Sequence, residues 1–172
     1  MVSQAFTQSA RPSGAIAKAL ANIVRFREVR PNWNPMRTDN PAYHAAMYKY
    51  FDGTSSTFVK GASPAVESDE FRLAVGVVEP GKGQLLHNHS QEELMFAASG
   101  SWMVFFDEKE EHKVFLEQWD SILVPAGVPR GWRNVGTATG CFLNLSGVHD
   151  RMSVVIPEEA TDSSPADAAC GS

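Results

Sequence analysis

Cysteine is scarce in this chain: only Cys141 and Cys170 occur in 172 residues, far apart. No disulfide framework is expected, and a reducing compartment suits such a protein. No run of residues is long and apolar enough to span a bilayer. The opening stretch lacks the continuous apolar region and small-residue cleavage site of a secretory signal, so the expectation is a cytoplasmic protein. Basic residues are not in excess either, with a net charge of −5. The N-terminal region holds no helix-turn-helix pattern with a basic recognition helix, so neither nucleic acid nor an anionic membrane is expected as a partner. Nucleophilic catalysis lacks a candidate, because neither cysteine is accompanied by a histidine in a recognisable arrangement. What is present is the composition of a globular protein, 43% apolar and 20% charged, at a length that suits one domain with extensions.

Residues 1–69 read as an N-terminal arm. Ser13 is placed to cap a short helix whose Ile16, Leu20, Ile23 and Val24 fall at helical spacing. NIVRFREVR reads as a strand, and Asn40-Pro41 opens a second helix with Tyr43, Met47, Tyr50 and Phe51 on one face. From there the periodicity shortens to two. Phe71, Leu73, Val75 and Val77 alternate with Arg72, Ala74 and Gly76, and the runs ELMFAA, SWMVFF, HKVFLEQ, SILVP, GCFLNLS and RMSVVI follow between turn signals. Many short strands at about ten-residue spacing, with no helical pattern between them, predict an all-β sandwich or barrel. Residues 157–172 carry four acids and no basic or aromatic residue, the composition of a disordered tail.

The chemistry is concentrated in HNHSQEE, residues 87–93. In an extended segment His87 and His89 project to one face, about 6.6 Å apart, and two imidazoles at that spacing can converge on one ion. A carboxylate from the next strand, Glu93, completes three ligands on one side of a metal and leaves positions open for substrate or oxygen. Gly81, His87, His89, Glu93 and Gly100 also match, position for position, the first motif of the cupin superfamily, and Pro125, Gly127 and Asn134 match its second. The sequence therefore resembles a small single-domain cupin over roughly residues 70–156. That resemblance implies a conical jelly-roll β-barrel with the site inside; residues 1–69 lie outside it and are expected to form a helical and strand extension that packs on the barrel or on a partner subunit. A homodimer is implied by the same analogy.

Two positions depart from the motif. Trp119 stands where the second motif has glycine, a poor choice if that turn needs a positive φ. Arg130 stands where the third metal-binding histidine would be. A guanidinium cannot ligate a metal, and inside a barrel it must find an anion. Three arrangements are open: a bidentate salt bridge that takes Glu93 away from any metal, a metal on His87, His89 and Glu93 with Arg130 facing an anionic ligand, or an Arg130 at the rim in solvent. His149, near the end of the barrel, is a further candidate ligand. Trp132 shares strand parity with Arg130, and Met95 with Glu93, so both are candidates for lining a substrate pocket.

The leading expectation is a metal-dependent enzyme of cupin type, such as a dioxygenase. One divalent ion, Fe, Mn, Ni or Zn, would act on a small anionic organic molecule, by oxygenation, decarboxylation, isomerisation or lyase chemistry. The alternative is a metal-free barrel that binds a small anion as an accessory or sensing protein. No catalytic residue is assigned.

Overall fold

A computed structural model describes residues 13–53 and 64–155. The tail expected over 157–172 lies outside the described residues. Among the described residues eleven strands form two sheets: β1 Ala46–Asp52, β2 Val66–Glu67, β3 Phe71–Val78, β4 Gly83–His89, β5 Glu93–Ser99, β6 Trp102–Phe105, β7 Lys113–Leu116, β8 Ser121–Val124, β9 Arg130–Asn134, β10 Gly140–Gly147 and β11 Met152–Val154. One sheet has the order β2-β1-β3-β10-β5-β8 and the other β11-β4-β9-β6-β7. All pairings are antiparallel except the short β1–β2 pair. The sheets close face to face as an all-β jelly-roll barrel. Phe142 of one sheet stacks on Trp102 of the other at 4.5 Å between ring centroids, and Trp132 packs against both at 5.6 and 5.2 Å. No helix among the described residues is long and apolar enough to cross a membrane.

Alternation decides what enters the barrel. Along β10 the inward residues are Phe142, Asn144 and Ser146, all buried. Along β3 they are Arg72, Ala74 and Val78, while Phe71 on the other face is exposed. Thus an arginine points inward where a more apolar set was available on the opposite face.

The arm differs from its sequence expectations. The first helix exists as α1, Gly14–Ala21, but Ser13 makes no side-chain capping bond and the helix buries no residue. The strand read at residues 22–30 is a 3-10 turn, Phe26–Glu28, and the sheet-like contact of this region is the bridge from Asn32 to Met47. The second helix starts as expected, with Asn40 Oδ1 accepting from the Ala42 amide, and then stops after the single turn Pro41–Tyr43. Residues 46–52 continue as β1. The stretch AMYKYFD fits a period of two as well as 3.6, and pairing with β3 captures it and seats Met47 in the core. A barrel strand therefore lies within the segment read as an arm.

Trp119 adopts φ +78°, in the same left-handed region as the motif glycines Gly81 and Gly100. The turn keeps the conformation that favours glycine. Trp119 holds it with a Cβ, a backbone hydrogen bond from its amide to Ala97 O at 2.7 Å and an edge contact with Phe96.

Candidate metal centre

β4 brings His87 and His89 inward together, and β5 begins with Glu93 directly after the short connecting turn. All three are buried, and one ligand atom from each lies within 4.8 Å of the others. Each ring is held by a bond that selects its orientation. His87 Nδ1 donates to Leu85 O at 2.6 Å, which leaves Nε2 as the lone-pair donor. His89 Nδ1 donates to the Asp150 carboxylate, and its Nε2 faces Glu93 Oε2 at 3.4 Å. Burial, and next the neighbouring His89, push the His87 pKa down to about 3, so the ring is the neutral form that ligation requires.

Asp150 organises this side of the barrel from the turn between β10 and β11. Besides His89, it accepts from Ser90 Oγ at 3.2 Å and the Gln91 amide at 2.9 Å, and it pairs with Arg72. Arg72 in turn donates through Nε to Ser146 Oγ at 2.5 Å. Burial alone would raise the Asp150 pKa. The bond from His89 and the charge of Arg72 outweigh it and hold the carboxyl at about 2.

Arg130 is fully buried, so the rim arrangement does not occur. Its Cα is the register partner of His87 across β4 and β9, and its Nη2 donates to Val124 O at 3.3 Å and Pro125 O at 3.0 Å at the end of β8. Its Nε reaches Glu93 Oε2 at 3.7 Å, one long ion-pair contact rather than a bidentate bridge. Arg130 Nε and Nη1 and Glu93 Oε2 are buried with no hydrogen-bond partner among the described residues. Glu93 is thus not committed to the arginine, and two buried imidazoles with one unbonded carboxylate oxygen form a donor set that fits a divalent ion. Burial raises the Glu93 pKa, against the opposing pull of His89 and Arg130, and burial lowers that of Arg130 despite Glu93.

Other expectations fall differently. His149 is exposed and outside the cluster, because its neighbour Asp150 takes the inward place in that turn. Trp132 and Met95 do face the interior, where both belong to the hydrophobic core. Arg133 is half-buried and donates to Glu110 from both terminal nitrogens at 2.7 and 3.2 Å. Asn134, a match to the second motif, fixes its turn by donating to Val78 O and Ala138 O and accepting from the Gly136 amide. Arg72 and Asp150 were not picked out from the sequence. The available signal was an Arg at an alternating position of a strand and an Asp beside the last histidine, and neither is specific.

A family model described as the Cupin domain matches residues 74–146. These residues carry a cupin domain. Solved structures similar to this cupin include the polyketide cyclase RemF from Streptomyces resistomycificus, with a TM-score of 0.58 and 19% identity over 80% of this chain and 87% of that one. A putative sugar phosphate isomerase from Acidithiobacillus ferrooxidans has a TM-score of 0.53 and 15% identity over 79% and 82% of the two chains. The DMSP lyase DddQ from Ruegeria pomeroyi has a TM-score of 0.52 and 18% identity over 79% of this chain and 61% of that one. No curated protein matches this cupin in sequence. Likenesses at this identity carry the fold and leave the reaction to the residues of the site.

Proposed function

We propose that this cupin is a metal-dependent enzyme acting on a small anionic organic molecule, with His87, His89 and Glu93 as ligands of one divalent ion, Fe, Mn, Ni or Zn. The observation that carries the proposal is the pair of unmet groups at the centre of the barrel. Glu93 Oε2 and Arg130 Nε and Nη1 are buried together without hydrogen-bond partners among the described residues, an arrangement that is costly unless a cation meets one and an anion the other. When bound, the ion supplies Lewis-acid polarisation of a substrate oxygen or a place for dioxygen. Arg130 orients the anionic group, its Nη2 already anchored on the carbonyls of Val124 and Pro125. The surrounding strands exclude water from this space, which strengthens each charged contact. The reaction classes that suit such a site are oxygenation, decarboxylation, isomerisation and elimination.

The Arg130–Glu93 approach at 3.7 Å favours a second reading, a metal-free barrel that binds an anion without turning it over. Elemental analysis of untagged protein, with His89→Ala beside it, separates the two. The proposal expects near-stoichiometric metal in the natural chain and its loss in the variant. A protein that contains no metal and takes up none of the four ions would establish the anion-binding barrel instead. A homodimer also belongs to this reading: Ile16, Leu20 and Ile23 of the arm are at least half exposed and give a partner subunit an apolar stripe to cover.

A further inference from the structure

Asn144 is inward-facing on β10 and 4% exposed, with Ala74 of β3 and Met95 of β5 as its register partners. Neither neighbour offers a polar side chain. Both Asn144 Nδ2 and Oδ1 are buried and make no hydrogen bond among the described residues. A leucine at this place would fill similar volume without two unmet polar atoms, so the amide has no stabilising role that the fold displays. Its position is informative. One alternation further along β10, Ser146 pairs with Glu93, which puts the Asn144 amide about 7 Å along the strand from the Glu93 pair and on the same face. The amide therefore faces the barrel interior from the same side of the sheet as Glu93, one alternation away from it.

The two sets of unmet atoms ask for different things. Arg130 Nε–H and Nη1–H ask for acceptors with negative charge, whereas the Asn144 amide asks for one donor and one acceptor at once, which a single hydroxyl provides. The charge inside the barrel points the same way. Among the described residues, the buried ionisable groups other than histidine are three cations, Lys49, Arg72 and Arg130, and three anions, Asp52, Glu93 and Asp150, whose formal charges cancel. A divalent ion leaves two positive charges for the ligand to offset.

We propose that Asn144 and Arg130 together form a ligand subsite for a hydroxylated carboxylate, in which Arg130 takes the carboxylate and Asn144 the adjacent hydroxyl. This rests on the reading of the barrel as a site for small organic anions, and it holds with or without the metal. The test is isothermal titration of glycolate and acetate, which differ by one hydroxyl, into the natural protein and into Asn144→Leu, Asn144→Ser and Arg130→Met. Each protein is titrated metal-free and metal-loaded, with metal content measured on the same samples. In the metal-free natural protein glycolate should bind about tenfold more tightly than acetate, the worth of one or two hydrogen bonds. Asn144→Leu should lose that preference while its melting temperature stays level or rises, a result that a merely structural asparagine would not produce. Arg130→Met should weaken both ligands together. If metal-free protein binds the two equally, or if Asn144→Leu and Asn144→Ser keep the preference, the subsite is wrong. A lower melting temperature in both Asn144 variants, with the preference intact, would instead assign Asn144 to the fold. Metal content in the same samples reports separately on the metal site.

Discussion

Along β10 the inward side chains run from Phe142 through Asn144 to Ser146, and along β9 from Trp132 to Arg130, so each strand passes from one half of the interior to the other. In the first half Trp102, Trp132 and Phe142 are in mutual contact, and the Trp102 indole donates to Ser99 O at 2.9 Å. Each of these three rings packs against the other two. In the second half His87, His89, Glu93, Arg72, Arg130 and Asp150 are equally buried, yet polar atoms of Glu93, Arg130 and Asn144 remain unmatched among the described residues. Burial alone therefore does not mark a core. The aromatic half stabilises the barrel, and the polar half carries groups whose partners are to be brought from outside.

Breaking the aromatic half should give the largest effect on stability. Trp132→Ala should cost about 3–5 kcal/mol, read from the midpoint of urea denaturation, because it opens a cavity against Trp102 and Phe142. A loss below about 1 kcal/mol would show that Trp132 walls an open pocket, as its strand parity with Arg130 first suggested, rather than a packed core.

The polar half should respond in binding. Asp150→Asn keeps the side-chain shape but removes the charge that orients His89 and pairs with Arg72. Metal affinity should fall about 10–100-fold, measured by competition with a chelator on protein shown to be folded by circular dichroism. Unchanged affinity would mean that His89 needs no support from the β10–β11 turn. The smallest effect belongs to neither half. Trp119→Gly relieves a left-handed backbone on the surface and should raise stability by about 1 kcal/mol in thermal melts, with metal uptake unaltered. If it destabilises, the contact of Trp119 with Phe96 outweighs the backbone strain.

The residues legible in the sequence were those close together in it. His87, His89 and Glu93 fall within seven residues, and strand periodicity alone aims the two histidines at one point. The strands after residue 70 were legible for the same reason. Residues 46–52 were not, because AMYKYFD satisfies both periods and the choice is made by backbone pairing with β3. Nor was Asp150, which turns inward in place of His149 because the β10–β11 turn sets which neighbour faces the barrel.

By itself, then, the sequence determined an all-β chain, a local trio of ligand types and an arginine that has to find an anion. Whether that arginine lies inside, how it meets Glu93, and which distant groups surround the trio were decided by tertiary structure. Arg72, Ser146 and Glu93 stand in one row only through the register of β3, β10 and β5. Asn144 shares their face by the same registers. Periodicity is a property of neighbouring residues, whereas register depends on the closure of the whole barrel.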